Sequence, residues 1–175
     1  MSRPSVSLFV AVALAIGALL LFRESNTPPG DEALMRRFHD DRPSYERLRD
    51  MLLADAPVSL VADWGIQTSN SVLSVKPPVA ELSLARYDDY LALLRKIDGV
   101  AVSRSRDTPP EVCIYVWAAG FAGDTRHEAV CWRDQPPPDL VASLDEIEQR
   151  SALAGGKMTF VYRHVDSHWY LMRDE

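Results

Sequence analysis

Cysteine and the common catalytic motifs are scarce in this chain of 175 residues. The two cysteines and four histidines do not form the paired spacing of a zinc site. The sequence contains no glycine-rich phosphate loop and no Gly-x-Ser-x-Gly nucleophile motif. The formal net charge is −6 and the basic residues form no cluster, which argues against nucleic acid as a partner. We therefore predict no catalytic residue, metal ion or cofactor.

One long apolar segment, residues 6–22, lies near the N-terminus. It contains no charged residue, with Arg3 before it and Arg23 after it. At ~1.5 Å per residue, a helix over this segment is about 26 Å long, slightly short of a ~30 Å hydrocarbon core. Because the segment is apolar on all sides, it predicts a transmembrane helix and not a buried helix with one polar face.

The residues flanking this segment bear on its processing and orientation. Residues 22–25, Phe-Arg-Glu-Ser, offer no small-x-small cleavage site, which favours an uncleaved signal anchor over a cleaved signal peptide. Arg23, Arg36 and Arg37 follow the segment and argue for a cytosolic domain. The short N-terminal tail and long downstream domain are instead typical of a signal anchor that exports its domain. We favour this second orientation: a single-pass inner (cytoplasmic) membrane protein whose domain is periplasmic or otherwise outside the cytosol.

The two cysteines, Cys113 and Cys131, lie in segments rich in β-branched and aromatic residues, 111–117 and 127–132. A glycine-containing loop separates the segments, so they predict a hairpin. If this hairpin is centred on Ala122, the numbers of facing residues sum to 244 and the two cysteines face each other, close enough for a disulfide. The alternative is two unrelated buried thiols. A disulfide would support export of the domain.

The rest of the chain predicts one soluble domain. Residues 1–24 form the anchor, 25–30 a linker, and 31–175 a domain large enough to bury a core. Apolar periodicity predicts helices at 31–41, 43–55, between Ser83 and Gly99, and at 139–149. It predicts strands within 58–75 and at 100–105, 111–117, 127–132, 158–165 and 168–173. This order indicates an α+β domain with a mostly antiparallel sheet of about five strands and helices packed on one face.

Three stretches carry a resemblance to known sequences: residues 38–55, Arg86-Tyr87 with Tyr90 and Leu94, and residues 168–171. With the leading anchor, they resemble a group of small, uncharacterised bacterial membrane-anchored or lipoprotein-like envelope proteins. The resemblance implies a cell-envelope domain of unknown function. It implies no catalytic residue, because each stretch is a pattern of apolar spacing and not a chemical motif.

Four aromatic residues form the candidate binding surface. Tyr115 and Trp117 are expected on the cysteine face of the first hairpin, and Trp169 and Tyr170 lie in the second. Most large aromatic side chains belong to a core. If one face of the sheet has no helices on it, however, these four residues would form an aromatic surface suited to a protein partner or a glycan.

Two polar clusters are weaker candidates. His164 and His168 flank a predicted turn at Asp166-Ser167, which places them diagonally and without further ligands, so we expect no metal there. Residues 124–128, Asp-Thr-Arg-His-Glu, combine acid, base and hydroxyl groups, but we expect a solvated loop.

The anchor and the lack of catalytic motifs predict a non-enzymatic envelope protein that presents its domain to a protein partner. One alternative is a binder of small molecules or peptides that uses the aromatic face. Another is an envelope hydrolase whose site is assembled from residues far apart in the sequence. The sequence predicts neither the identity of the partner nor an oligomeric state.

Overall fold

The computed structural model describes residues 27–71, 73–121, 124–138, 140–146 and 160–174. These residues form an α+β domain with three helices: α1 (Asp31–Asp40), α2 (Arg42–Ala54) and α3 (Leu84–Lys96). The strands are β1 (Val58–Ala62), β2 (Gly65–Thr68), β3 (Ala101–Arg104), β4 (Val112–Phe121), β5 (Asp124–Trp132), β6 (Phe160–Asp166) and β7 (Trp169–Asp174). The predicted anchor, residues 6–22, lies outside the described residues. None of the described helices combines the length and the hydrophobicity that a membrane span requires.

The seven strands form one sheet in the order β2-β1-β3-β4-β5-β7-β6, and every neighbouring pair is antiparallel. The predicted α+β class with an antiparallel sheet is confirmed, but the prediction of about five strands was too low. Residues 58–75 contribute a complete hairpin, β1–β2. This hairpin turns immediately before Gly65, whose φ of 139° is a conformation that L side chains rarely adopt.

The three described helices lie close to where the sequence predicted them. Ser83 caps α3, accepting a hydrogen bond from the backbone N–H of Arg86 at 3.2 Å. After α3, Asp98 adopts a φ of 53°, and the N–H of Gly99 donates to the carbonyl of Leu94 at 2.8 Å. This left-handed residue followed by a backbone bond ends the helix before Gly99.

The predicted fourth helix, 139–149, is wrong over the part of it that the structure describes, residues 140–146. Leu140 forms a parallel bridge with Tyr162, and the N–H of Val141 donates to the carbonyl of Tyr162 at 2.8 Å. The segment thus pairs with backbone groups of β6, an outer strand of the sheet. This tertiary pairing overrides a weak helical pattern. Asp139 and residues 147–149 lie outside the described residues.

The cysteine hairpin has the predicted register at its open end and a different one towards its turn. Facing residue numbers sum to 244 as far as Tyr115 and Ala129, and to 245 beyond them. The change occurs at Val116, an extra residue that forms a β-bulge. Both strands also extend further than predicted, to Phe121 and from Asp124, so most of the expected loop is strand.

The sheet has two different faces. On one face Val102, Ile114, Val130 and Leu171 pack into a core with buried side chains of α1, α2 and α3. On the other face a second cluster contains the two cysteines with Tyr162, Tyr170 and Met172. None of the described helices contributes to this second cluster, so the helices pack on one side of the sheet.

Candidate functional site

A groove of about 380 Å³ lies on the face of the sheet opposite the helices. We call it the disulfide groove; its lining includes Cys113, Tyr115, Met172, Tyr162, Glu111 and Arg133. Because alternate residues of a strand point to the same face, β4, β6 and β7 each present side chains to it. The sheet therefore assembles this site from residues far apart in the sequence.

A disulfide forms part of the groove. Cys113 and Cys131 occupy facing positions on β4 and β5, and their sulfur atoms are bonded at 2.05 Å. Cys113 lines the groove and is 6% exposed, whereas Cys131 is fully buried. Of the two bonded cysteines, only Cys113 is among the residues that line the groove.

Glu111 lies beside this disulfide with weak partners of its own. Arg133 Nη1 donates to Oε1 at 3.5 Å, and the Tyr162 hydroxyl donates to Oε2 at 3.4 Å. The backbone N–H of Glu111 donates to Ser105 Oγ at 2.9 Å, which fixes the residue at the start of β4. Burial raises the pKa of the Glu111 carboxyl, and Arg133 and Tyr162 offset only part of that effect.

One carboxylate oxygen of Glu111 and the two cysteine sulfur atoms lie within 4.8 Å of one another. They form the only His, Cys, Asp and Glu group of metal-site dimensions in the described part of the chain. Both sulfur atoms are committed to the disulfide, so the group offers a metal only one carboxylate. Its chemistry is that of an acid beside a disulfide.

Aromatic rings with polar groups form the walls of the groove. The Arg133 guanidinium lies 5.1 Å from the centre of the Tyr162 ring. Ser103 Oγ donates to the Tyr115 hydroxyl at 3.3 Å. Burial raises the pKa of both tyrosine hydroxyls above its usual value, so both stay neutral and able to donate hydrogen bonds. Phe160, 46% exposed, completes the aromatic lining.

The predicted aromatic surface holds only in part. Tyr115 lines the groove, and Tyr170 belongs to the same face but is 3% exposed, with its ring 5.4 Å from that of His164. Trp169 belongs to the helix-side core, where it packs against Phe38, so its assignment to a surface was wrong. Trp117 was also misassigned, because the bulge pairs it with Glu128 on the other face.

His164 and His168, expected diagonally across the turn of the second hairpin, have separate partners. The turn between β6 and β7 is at Ser167-His168, one residue later than predicted. His164 Nε2 lies 3.1 Å from the carbonyl of Ser167, and His168 Nδ1 lies 3.0 Å from the carbonyl of Arg133. Each ring bonds a separate backbone carbonyl, an arrangement that fixes the ends of strands.

Residues 124–128 form part of β5 and not the expected solvated loop. His127 Nδ1 lies 2.6 Å from Asp174 Oδ2, a contact that joins β5 to the end of β7. Glu128 is fully buried and accepts hydrogen bonds from Arg173 through Oε1, with the Nε donor at 2.6 Å. Burial raises the pKa of Glu128 to about 7, although Arg173 opposes the shift.

A second buried acid, Asp31, fastens the start of the domain. Its Oδ2 accepts hydrogen bonds from Arg163 Nη1, Ser143 Oγ and the backbone N–H of Leu144, each at 2.8 Å. The carbonyl of Leu144 in turn accepts from Arg173 Nη1 at 2.8 Å. These bonds hold α1 against residues 143–145 and the sheet, which is a structural role.

The sequence analysis missed the polar residues of the groove. Glu111 and Arg133 lie outside the matched cysteine positions, yet their numbers also sum to 244, so the predicted register already placed them opposite each other. No such signal existed for Tyr162, because the pairing of β5 with β7, which brings the second hairpin beside the first, depends on the tertiary fold.

Comparison of the chain with protein-family models, with curated proteins and with solved structures found no match. The fold and the groove define an α+β domain with a disulfide-containing face that none of the described helices covers.

Proposed function

We propose that this protein is a membrane-anchored binding protein that presents its domain outside the cytosol and holds a segment of a partner protein in the disulfide groove. The observation that carries the proposal is the groove itself. It combines aromatic rings with a carboxylate and a guanidinium on a face that no described helix covers. Aromatic residues and arginine are the side chains that contribute most often to protein interfaces.

The location rests on two supports. Residues 6–22 have the length and composition of a membrane anchor, and the anchor leads through a short linker into the domain. The disulfide between Cys113 and Cys131 suits an oxidising compartment, because the cytosol keeps most thiols reduced. Together they favour a domain on the outer side of the cytoplasmic membrane.

The point at which the linker joins the domain, next to Asp31, suits this arrangement. The Asp31 carboxylate accepts a hydrogen bond from the N–H of Leu144, and the carbonyl of Leu144 accepts one from Arg173, near the end of β7. Arg133 directly follows Trp132, which pairs with Trp169 at the start of β7. Trp169 and Arg173 are four residues apart along β7, which corresponds to about 13 Å. A partner can therefore approach the Arg133 end of the groove away from the linker.

Site-specific photocrosslinking tests the proposal in native membranes. p-Benzoylphenylalanine is placed at Phe160 in the groove and, as a matched control, at Trp64, which is 50% exposed and outside the groove. We expect a protein adduct from position 160 and none from position 64. Tyr115→Ala should weaken the adduct by removing one wall. Equal adducts at both positions, or none at position 160, would contradict a groove-mediated partner.

The location is tested separately with C-terminal reporter fusions. A domain outside the cytosol gives an active alkaline phosphatase fusion and a dark green fluorescent protein fusion. The reverse result would place the domain in the cytosol and overturn that half of the proposal.

A small ligand is a second candidate, because about 380 Å³ lies within the ~300–1,000 Å³ usual for small-molecule sites. Native mass spectrometry of the full-length protein in detergent distinguishes the two. A bound small molecule that Tyr115→Ala releases would favour this alternative.

A further inference from the structure

Glu111 lies close enough to the disulfide to act on it chemically, a proximity that binding alone does not require. Cys113 lines the groove, Cys131 is fully buried, and a carboxylate oxygen of Glu111 lies within 4.8 Å of both sulfur atoms. A nucleophile in the groove therefore meets Cys113 first, and the bond that it breaks leaves Cys131 as the departing sulfur.

A departing thiolate at Cys131 would be unfavourable without a proton. Burial in apolar surroundings disfavours the charged form of a thiol, and Cys131 packs in a cluster with Tyr170 and Met172. The charged or titratable groups that interact with Glu111 are Arg133, Tyr162, Asp107 and Tyr115, and Arg104 lines the same groove. Among the described acids, only Glu111 has an oxygen within 4.8 Å of both sulfur atoms, so it is the acid within reach.

We propose that the disulfide groove is a site of thiol–disulfide exchange, in which Cys113 accepts the attack of a partner thiolate and Glu111 donates a proton to Cys131. The thiolate forms a bond to Cys113 Sγ while the bond between the two cysteines breaks. Cys131 Sγ takes the bonding electron pair and the proton of the Glu111 carboxyl, whose carboxylate stays beside Arg133. A second thiolate then attacks the partner sulfur of the mixed disulfide and releases Cys113.

The balance requires two thiol groups from the partner, which become one disulfide while the protein disulfide is reduced. The raised pKa of Glu111 supports its role as the proton donor, because a larger fraction of the carboxyl is protonated than in solution. The inference does not depend on the binding proposal, because a free thiol such as glutathione is sufficient to test it.

The experiment follows reduction of the disulfide in the folded, full-length protein in detergent micelles. Excess glutathione is added at a series of pH values, samples are quenched with acid, and free cysteines are counted by a maleimide gel shift. Each rate is divided by the thiolate concentration. For the wild type we expect this normalised rate to fall as pH rises through the pKa of Glu111. Glu111→Gln should flatten the profile and slow the reaction about tenfold or more.

Two further variants test whether the pH profile is due to Glu111. Asp134→Asn removes an exposed negative charge near Arg133 and should keep the wild-type profile. Tyr162→Phe removes the hydroxyl that lowers the pKa of Glu111, so the fall in its normalised rate should move to higher pH. In denaturant all four proteins should react at the same rate. A disulfide that reacts only after unfolding, or an unchanged profile in Glu111→Gln, would overturn the proposal.

Discussion

Replacement of Glu128 by glutamine tests the energetic consequence of a buried acid with incomplete pairing. Glu128 is fully buried, and Arg173 bonds only its Oε1 atom. Its Oε2 has no hydrogen-bond partner among the described residues. A carboxylate in this position has lost its hydration without full compensation, so the neutral form is favoured and the pKa rises to about 7.

The expected magnitude follows from proton linkage. The ordinary pKa of the carboxyl is 4.5, so between pH 4.5 and about 7 the folded protein keeps a proton that the unfolded chain releases. The free energy of unfolding therefore decreases as pH rises through this window. At about 1.4 kcal/mol per pKa unit, the contribution of Glu128 to this decrease over the whole window is about 3–4 kcal/mol. The glutamine amide does not titrate, so the Glu128→Gln variant should lack this part of the decrease.

Urea unfolding of the full-length protein in detergent, followed by tryptophan fluorescence at pH 5 and pH 8, measures the effect. We expect Glu128→Gln to be more stable relative to wild type at pH 8 than at pH 5 by about 2–3 kcal/mol, because pH 5 already lies above the ordinary pKa of the carboxyl. Glu146→Gln provides the control, because Glu146 is exposed and the variant should keep the wild-type pH dependence. Parallel pH dependence in Glu128→Gln and wild type would refute the linkage argument.

Three further predictions concern stability, each measured by the same unfolding assay. The double variant Cys113→Ala, Cys131→Ala should lose about 3 kcal/mol, because the bond closes a loop with a sequence separation of 18; an unchanged urea midpoint would contradict this. Asp31→Ala should lose about 3–5 kcal/mol, because Arg163 and the N–H of Leu144 lose their acceptor. Trp169→Ala should cost about 3–5 kcal/mol, since the side chain is 1% exposed in the helix-side core.

The last two predictions have matched controls. Glu32, next to Asp31, has a side chain that is 77% exposed, so Glu32→Ala should change stability by no more than about 0.5 kcal/mol. Trp64 is 50% exposed, and Trp64→Ala should change stability by a similarly small amount. A loss at either control position as large as at its buried counterpart would show that burial does not explain the effect.

Local features of the sequence were sufficient to predict most of the elements. The starts and ends of α1, α2 and α3 follow from apolar spacing and from caps such as Ser83, which act within a few residues. The facing cysteines were predicted from a hairpin centred on Ala122, because a hairpin brings together residues that are close in sequence. The numbers of facing residues next to the turn sum to 245, and the bulge at Val116 restores the sum of 244 at the cysteines.

Features that depend on distant partners were not predictable in this way. Trp169 was assigned to a surface because alternation shows that a strand has two faces but not which face the helices cover. Residues 140–146 were assigned to a helix because the competing partners, β6 and Asp31, lie far away in the sequence. The bulge at Val116 likewise changed the face of Trp117 by one residue of register.

The sequence by itself determined the apolar segment 6–22, the antiparallel α+β class and the pairing of Cys113 with Cys131, since each depends on composition or on short-range spacing. The tertiary structure alone decided where a site could form. Strand order brought Tyr162 beside Glu111, and placing all the described helices on one face left the groove beside Cys113 uncovered by them on the other. Both depend on how the strands assemble, which long-range packing energies determine and local patterns do not record.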